Sequence, residues 1–129
     1  MNNKNYKIRS IGILMGVMGF VSKLIYRPFI LTNNINDIGI NEFAPSFFYT
    51  AGICLIGAGY STKTQKKTMI FLALGSLAYE IEQIFSARVF DFKDIAAIVI
   101  AFFISIVILK IYESKEKQLT KKNCAFIPD

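Results

Sequence analysis

The chain contains no histidine at all. That absence removes imidazole as a general base, as a metal ligand and as a switch titrating near neutrality. Cysteine is scarce, with two in 129 residues. Cys54 lies inside an apolar run and Cys124 in a polar C-terminal segment, a placement that argues against a disulfide and for a small buried apolar side chain at Cys54. There is no zinc-ligand spacing, no RNA-recognition signature, and no glycine-rich loop between a strand and a helix. A net charge of +6 therefore points away from nucleic acid. Most of the lysines and arginines flank apolar blocks, the pattern of a protein oriented in a membrane. With no nucleophile, metal set or phosphate loop, neither a catalytic residue nor a cofactor is expected.

What the chain does have is apolar blocks too long and continuous for a soluble core. A spanning helix needs about 20 largely apolar residues, because the hydrocarbon core is ~30 Å thick and each residue rises ~1.5 Å. Four stretches come close. The first, about 10–26, is broken only by Lys23, whose long stem can carry its ammonium to the interface. Lys4, Lys7 and Arg9 precede it, as they would a cleaved signal peptide, but no clear small-x-small cleavage site follows. Gly12, Gly16 and Gly19 fall on or near one face, where they would admit another helix of the same chain. Arg27 and Pro28 are expected to end this segment. Thr32 to Asn41, rich in turn-forming residues, reads as an exposed loop. Asn41 would cap the next helix, with Pro45 tolerated in its first turn.

The second span, about 43–62, carries no charge, and Tyr60 can sit at its far interface. The third, about 68–87, crosses only if it carries Glu80, Glu82 and Gln83 near its end. The fourth, about 94–111, precedes a polar tail, 113–129, best read as solvated and secondarily as lying on anionic lipid. The expected fold is all-α: one domain over 1–129, an integral membrane bundle of four helices. Basic residues orient it. Eleven (Lys4, Lys7, Arg9, Lys63, Lys66, Lys67, Lys110, Lys115, Lys117, Lys121, Lys122) lie at one side and four (Lys23, Arg27, Arg88, Lys93) at the other. Basic flanks stay cytoplasmic. Both termini are thus expected inside a bacterial plasma membrane, with the Asn-rich loop and residues 80–94 outside.

The chemistry concentrates in residues 79–94. On a helix turning ~100° per residue, Glu80 and Gln83 share a face with Ser76, and Glu82 points almost the opposite way. A lone carboxylate facing lipid costs several kcal/mol, so Glu80 should face the bundle interior or a wet recess and find a partner, for which Arg88 is nearest in sequence. Asp94 can cap the fourth helix, or join the same outward-facing cluster. Glu80, Gln83, Arg88 and Asp94 are therefore the candidate binding residues for a polar group at the outer leaflet, a lipid headgroup or part of an envelope precursor. A static polar clamp is the equally weighted structural reading.

With Glu80-x-x-Gln83 on a membrane helix, then Arg88, Phe90, Asp91 and Asp94 opening the next, and Pro45-Ser46-Phe47 before them, the chain resembles the VanZ-like family over about residues 35–105. It departs from that family at Ile98 and Ala101, where members usually carry Asn and Gly. The resemblance implies a small polytopic envelope protein, whose namesake is associated with resistance to teicoplanin. Beside this reading stand a small proton-coupled transporter or exporter built around Glu80 and, more weakly, an enzyme using Glu80 and Asp94 as acid and base.

Overall fold

The computed structural model describes residues 3–61, 63–85 and 92–124, and every regular element in them is helical. Helix α1, Asn3–Val21, runs through a π-helical turn, Ser22–Tyr26, into α2, Arg27–Thr32, as one helical segment. The expected stop at Pro28 does not occur. A proline inside a regular α-helix clashes with the carbonyl four residues back. Here the turn before it is widened, and the Arg27 N–H donates to Ser22 O, five residues back. Pro28 then sits at the start of a fresh α-helical turn, where its missing N–H costs least. The segment ends where the Asn33 side chain and backbone N–H both donate to Phe29 O, at 2.8 and 3.2 Å.

Helix α3, Ile40–Tyr60, begins two residues earlier than Asn41 would allow as its cap. Asp37 caps instead: its carboxylate accepts the N–H of Gly39 at 3.2 Å and of Asn41 at 2.7 Å. Gly39 makes the turn at φ 84°, a conformation that side chains with a Cβ rarely adopt. Pro45 consequently lies inside the helix rather than in its first turn. Helix α4, Gln65–Phe85, follows a short connection, and α5, Phe92–Cys124, is 33 residues long. The expected polar tail is thus a helical continuation of the fourth apolar segment as far as Cys124.

Helix α3 is the centre of the bundle, in contact with α1, α4 and α5. Its closest partner is α1, running antiparallel. A Cβ placed on Gly52 would lie 2.7 Å from Gly16 N and 2.9 Å from Gly12 O, and one on Gly12 would lie 2.7 Å from Ile56 N. Backbones this close maximise dispersion contacts where no hydrophobic drive operates in lipid. The buried core, with Ile8, Cys54, Leu55, Ala58, Met69, Ala73 and Leu109, occupies the end of the bundle where the chain starts. Cys54 is fully buried there as expected, its Sγ 3.7 Å from Met69 O. Polar contacts close the same end. Gln65 Nε2 donates to Ala58 O at 2.9 Å and to Asn5 Oδ1 at 3.2 Å, and Lys4 pairs with Glu116 at 3.2 Å.

Three helices, Lys4–Thr32, Ile40–Tyr60 and Phe92–Asn123, are long and apolar enough to cross a membrane. Ile13, Leu14, Val17, Leu74, Phe103 and Val107 are all exposed on the outside of the bundle, an apolar surface consistent with a membrane protein. Helix α4 matches α3 in length at 21 residues, but carries Lys66 and Lys67 at one end and Glu80 and Glu82 at the other.

Candidate binding cleft

The bundle is closed at one end and open at the other. No Cα of α1, of the π-helical turn or of α2 comes within 8 Å of a Cα of α4. The gap between them forms a cleft of about 1120 Å³, floored by α3 and closed behind by α5. Periodicity builds its walls. Gly16, Gly19, Phe20, Lys23, Leu24 and Arg27 are one face of the first helical segment; Glu42, Pro45, Ser46, Tyr49, Ile53 and Ile56 are one face of α3. Phe71, Leu72, Gly75, Ser76, Tyr79 and Glu80 are one face of α4, and Asp94 and Ile98 come from α5. All four sets repeat at three and four residues, the helical neighbour spacing.

Charged groups are segregated along this cleft. Lys23, Arg27, Glu42, Ser46, Glu80 and Asp94 gather at its open end, and the deeper wall is apolar at Phe20, Ile53, Ile56, Phe71, Leu72 and Ile98. Two of the anions are held by neighbours. Ser46 Oγ donates to Asp94 Oδ1 at 2.7 Å, across 48 residues of sequence. Lys93 Nζ donates to Glu42 Oε2 at 2.7 Å. Glu80 is partly buried and lies within the electrostatic reach of Asp94, which repels it, and of Lys23, which attracts it. Among the described residues, neither Lys23 nor Arg27 lies within 4.0 Å of a carboxylate. Among the described residues, the open end therefore carries a cationic edge on the first helical segment and carboxylates on the opposite side.

Of the four residues that sequence alone nominates, the structure brings Glu80 and Asp94 into this cleft together. Arg88 lies outside the described residues, as does the side chain of Gln83. The cation near Glu80 is Lys23, which sequence reading treats as a snorkelling side chain on another helix. Asp94 sits in the first turn of α5, where its charge favours the helix N-terminus, and its side chain is engaged by Ser46. Ser76 shares the face of Glu80 as the spacing requires, and Glu82 is exposed away from the cleft. Lys23, Arg27 and Glu42 are charged cleft residues that sequence reasoning missed; the available signal was helical spacing, with Lys23 four residues after Gly19, Arg27 four after Lys23, and Glu42 three and four before Pro45 and Ser46. Among the described residues, no group of three or more metal-ligating side chains converges.

The fold and cleft define a helical protein with membrane-type surfaces and, among the described residues, a polar-mouthed recess. No family model, curated protein or solved structure matches the chain.

Proposed function

We propose that this chain is a VanZ-like, four-span protein of the bacterial plasma membrane with both termini in the cytoplasm, and that it binds the polar group of an outer-leaflet molecule without chemical turnover. The observation that carries this reading is the cleft itself: charges of both signs at its mouth, above an apolar wall. At about 1120 Å³ it exceeds the ~300–1,000 Å³ of pockets that hold drug-sized ligands. Its mouth lies at the end of the bundle that the distribution of basic residues assigns to the outside.

The arrangement of α3 and α5 supports the fourth span. These helices meet near their N-terminal ends, through Ser46–Asp94 and Glu42–Lys93, and again farther along, where Leu55 and Leu109 share one core. They run parallel, so α4 must return the chain from one end of the bundle to the other. Its 21 residues reach ~31 Å, the thickness of the hydrocarbon core.

The reading is tested by expressing the native chain and Glu80→Gln at matched membrane levels in a teicoplanin-sensitive Gram-positive host, then measuring drug susceptibility and labelled-drug binding at the cell surface. Protection by the native chain, reduced at least fourfold in the variant, is the expected result. Equal susceptibility with and without the native chain removes the resistance role.

A further inference from the structure

Below its charged mouth the cleft is a slot with a bottom, an open side and a defined depth. Ser46, which holds Asp94, marks the level of the charges; among the described residues, the lining below it carries none and continues on α3 to Ile56. That is ten residues, or ~15 Å along the helix, half the depth of a ~30 Å hydrocarbon core. There the slot ends. A Cβ on Gly57 would overlap the Leu72 side chain of α4, and the buried core with Ala58, Met69 and Leu109 fills the bundle beyond that contact.

The side of the slot is open because α1 and α4 stay apart. Phe20 and Leu24 on one lip and Phe71 on the other line the cleft and are nonetheless exposed. Its inner surface is hydrocarbon. Ile53 and Ile56 form the floor and Leu72 the bottom, while Thr50 is buried and the Ser76 hydroxyl is turned onto its own helix, donating to Leu72 O at 3.2 Å. Gly16 and Gly75 stand on the facing walls, and a Cβ on either would meet no atom within 4 Å. The space between α1 and α4 is therefore room, not contact.

In a bilayer, the shape of this room selects what fills it. An empty apolar void forfeits the dispersion contacts of its walls, and water finds too few polar partners there. A spanning helix of a second copy needs a groove of about 20 residues, or ~30 Å. The slot stops at half of that. A lipid tail belongs to one leaflet, runs parallel to the helices and ends near the bilayer middle, as the slot does.

We propose, resting on the four-span, outer-leaflet reading above, that the slot binds an acyl chain of an outer-leaflet bilayer lipid, which enters sideways between α1 and α4 and brings its methyl end to Ile56 and Leu72. The molecule whose polar group the mouth takes is then an amphiphile that reaches the site without leaving the membrane.

The test places the full chain in phosphatidylglycerol bilayers in which a small fraction of the lipid carries a photoreactive diazirine at the methyl end of one acyl chain, with labelled residues read by mass spectrometry. Label is expected on Ile53 and Ile56 of the slot floor. Gly75→Leu fills the slot from a position with free space; it should lower that label at least fivefold, with helical content and the label on outward-facing Ile13 and Val17 unchanged. Leu74→Ala, on the outside of the same helix, should leave the floor label as it is. Moving the diazirine to the headgroup end of the chain should lower label on Ile56 at least fivefold in the native protein. Absence of label from Ile53 and Ile56 overturns the proposal, whether water or a second copy's helix occupies the slot, as does floor label indifferent to Gly75→Leu. Floor label without drug protection leaves the chain site standing and removes the resistance role; Glu80-dependent protection without floor label does the reverse.

Discussion

Asp94 illustrates how one side chain ties distant parts of the sequence together. Its carboxylate accepts the Ser46 hydroxyl at 2.7 Å and lies across the cleft from Lys23 and Arg27. A hydrogen bond to a charged group contributes ~1.5–3 kcal/mol. The lower figure applies here because Asp94 is only partly buried and water can take over part of the interaction. Ser46→Ala should therefore destabilise the protein by about 1.5 kcal/mol, seen as a lower midpoint in thermal unfolding in detergent, with helical content retained. An unchanged midpoint would mean that Asp94 is held by solvent and that Ser46 does not fix it. Glu80 was identifiable from sequence because a carboxylate on a membrane-length helix demands a recess. Its cationic neighbour was not, because Lys23 sits 57 positions away on another helix and only the packing of both helices against α3 brings them to one mouth. The Ser46–Asp94 bond is hidden for the same reason: a serine before a run of aromatics has no local feature that names its acceptor.

At the level of elements, the glycines of α3 and α4 do two different jobs, and substitution separates them. At Gly52 an added methyl would press on the Gly16 and Gly12 backbones at 2.7 and 2.9 Å, and backbone cannot rotate out of the way as a side chain can. Gly52→Val should cost at least the ~1–3 kcal/mol typical of overpacking. Gly75→Ala meets open space and should raise stability by up to ~1 kcal/mol through helix propensity. Unfolding midpoints moving in opposite directions would bear this out; a neutral Gly52→Val would show that α1 and α3 are not in backbone contact. The close approach at Gly12 and Gly16 was readable from small-residue spacing. Helix ends were less so. Pro28 looks like a terminator until the π-helical turn before it supplies the room it needs, and that adjustment leaves no mark in composition. Asn41 and Asp37 are both good capping residues; the choice fell to Asp37 because Gly39 can take φ 84° and fold the carboxylate back onto two N–H groups.

At the scale of the whole molecule, topology decides what the cleft can reach. Apolar length alone separates three helices from α4, which leaves open a three-span protein with α4 lying at one surface. In that case the C-terminus would fall on the opposite side from the N-terminus. The bundle weighs against this: Lys4 pairs with Glu116 and Asn5 with Gln65 at one end, and Ser46 with Asp94 at the other. A peripheral α4 would have to abandon either Asn5 or its place beside Asp94. Reporter fusions that are active on only one side of the membrane resolve the matter. Placed after Asn36, after Lys63 and at the C-terminus, they should report outside, inside and inside. A C-terminal reporter active outside would establish three spans and move Glu80 away from the mouth. The polar cluster would then lose its shared leaflet with Lys23 and Arg27, and both the outer-leaflet function and the acyl-chain site would fall with it.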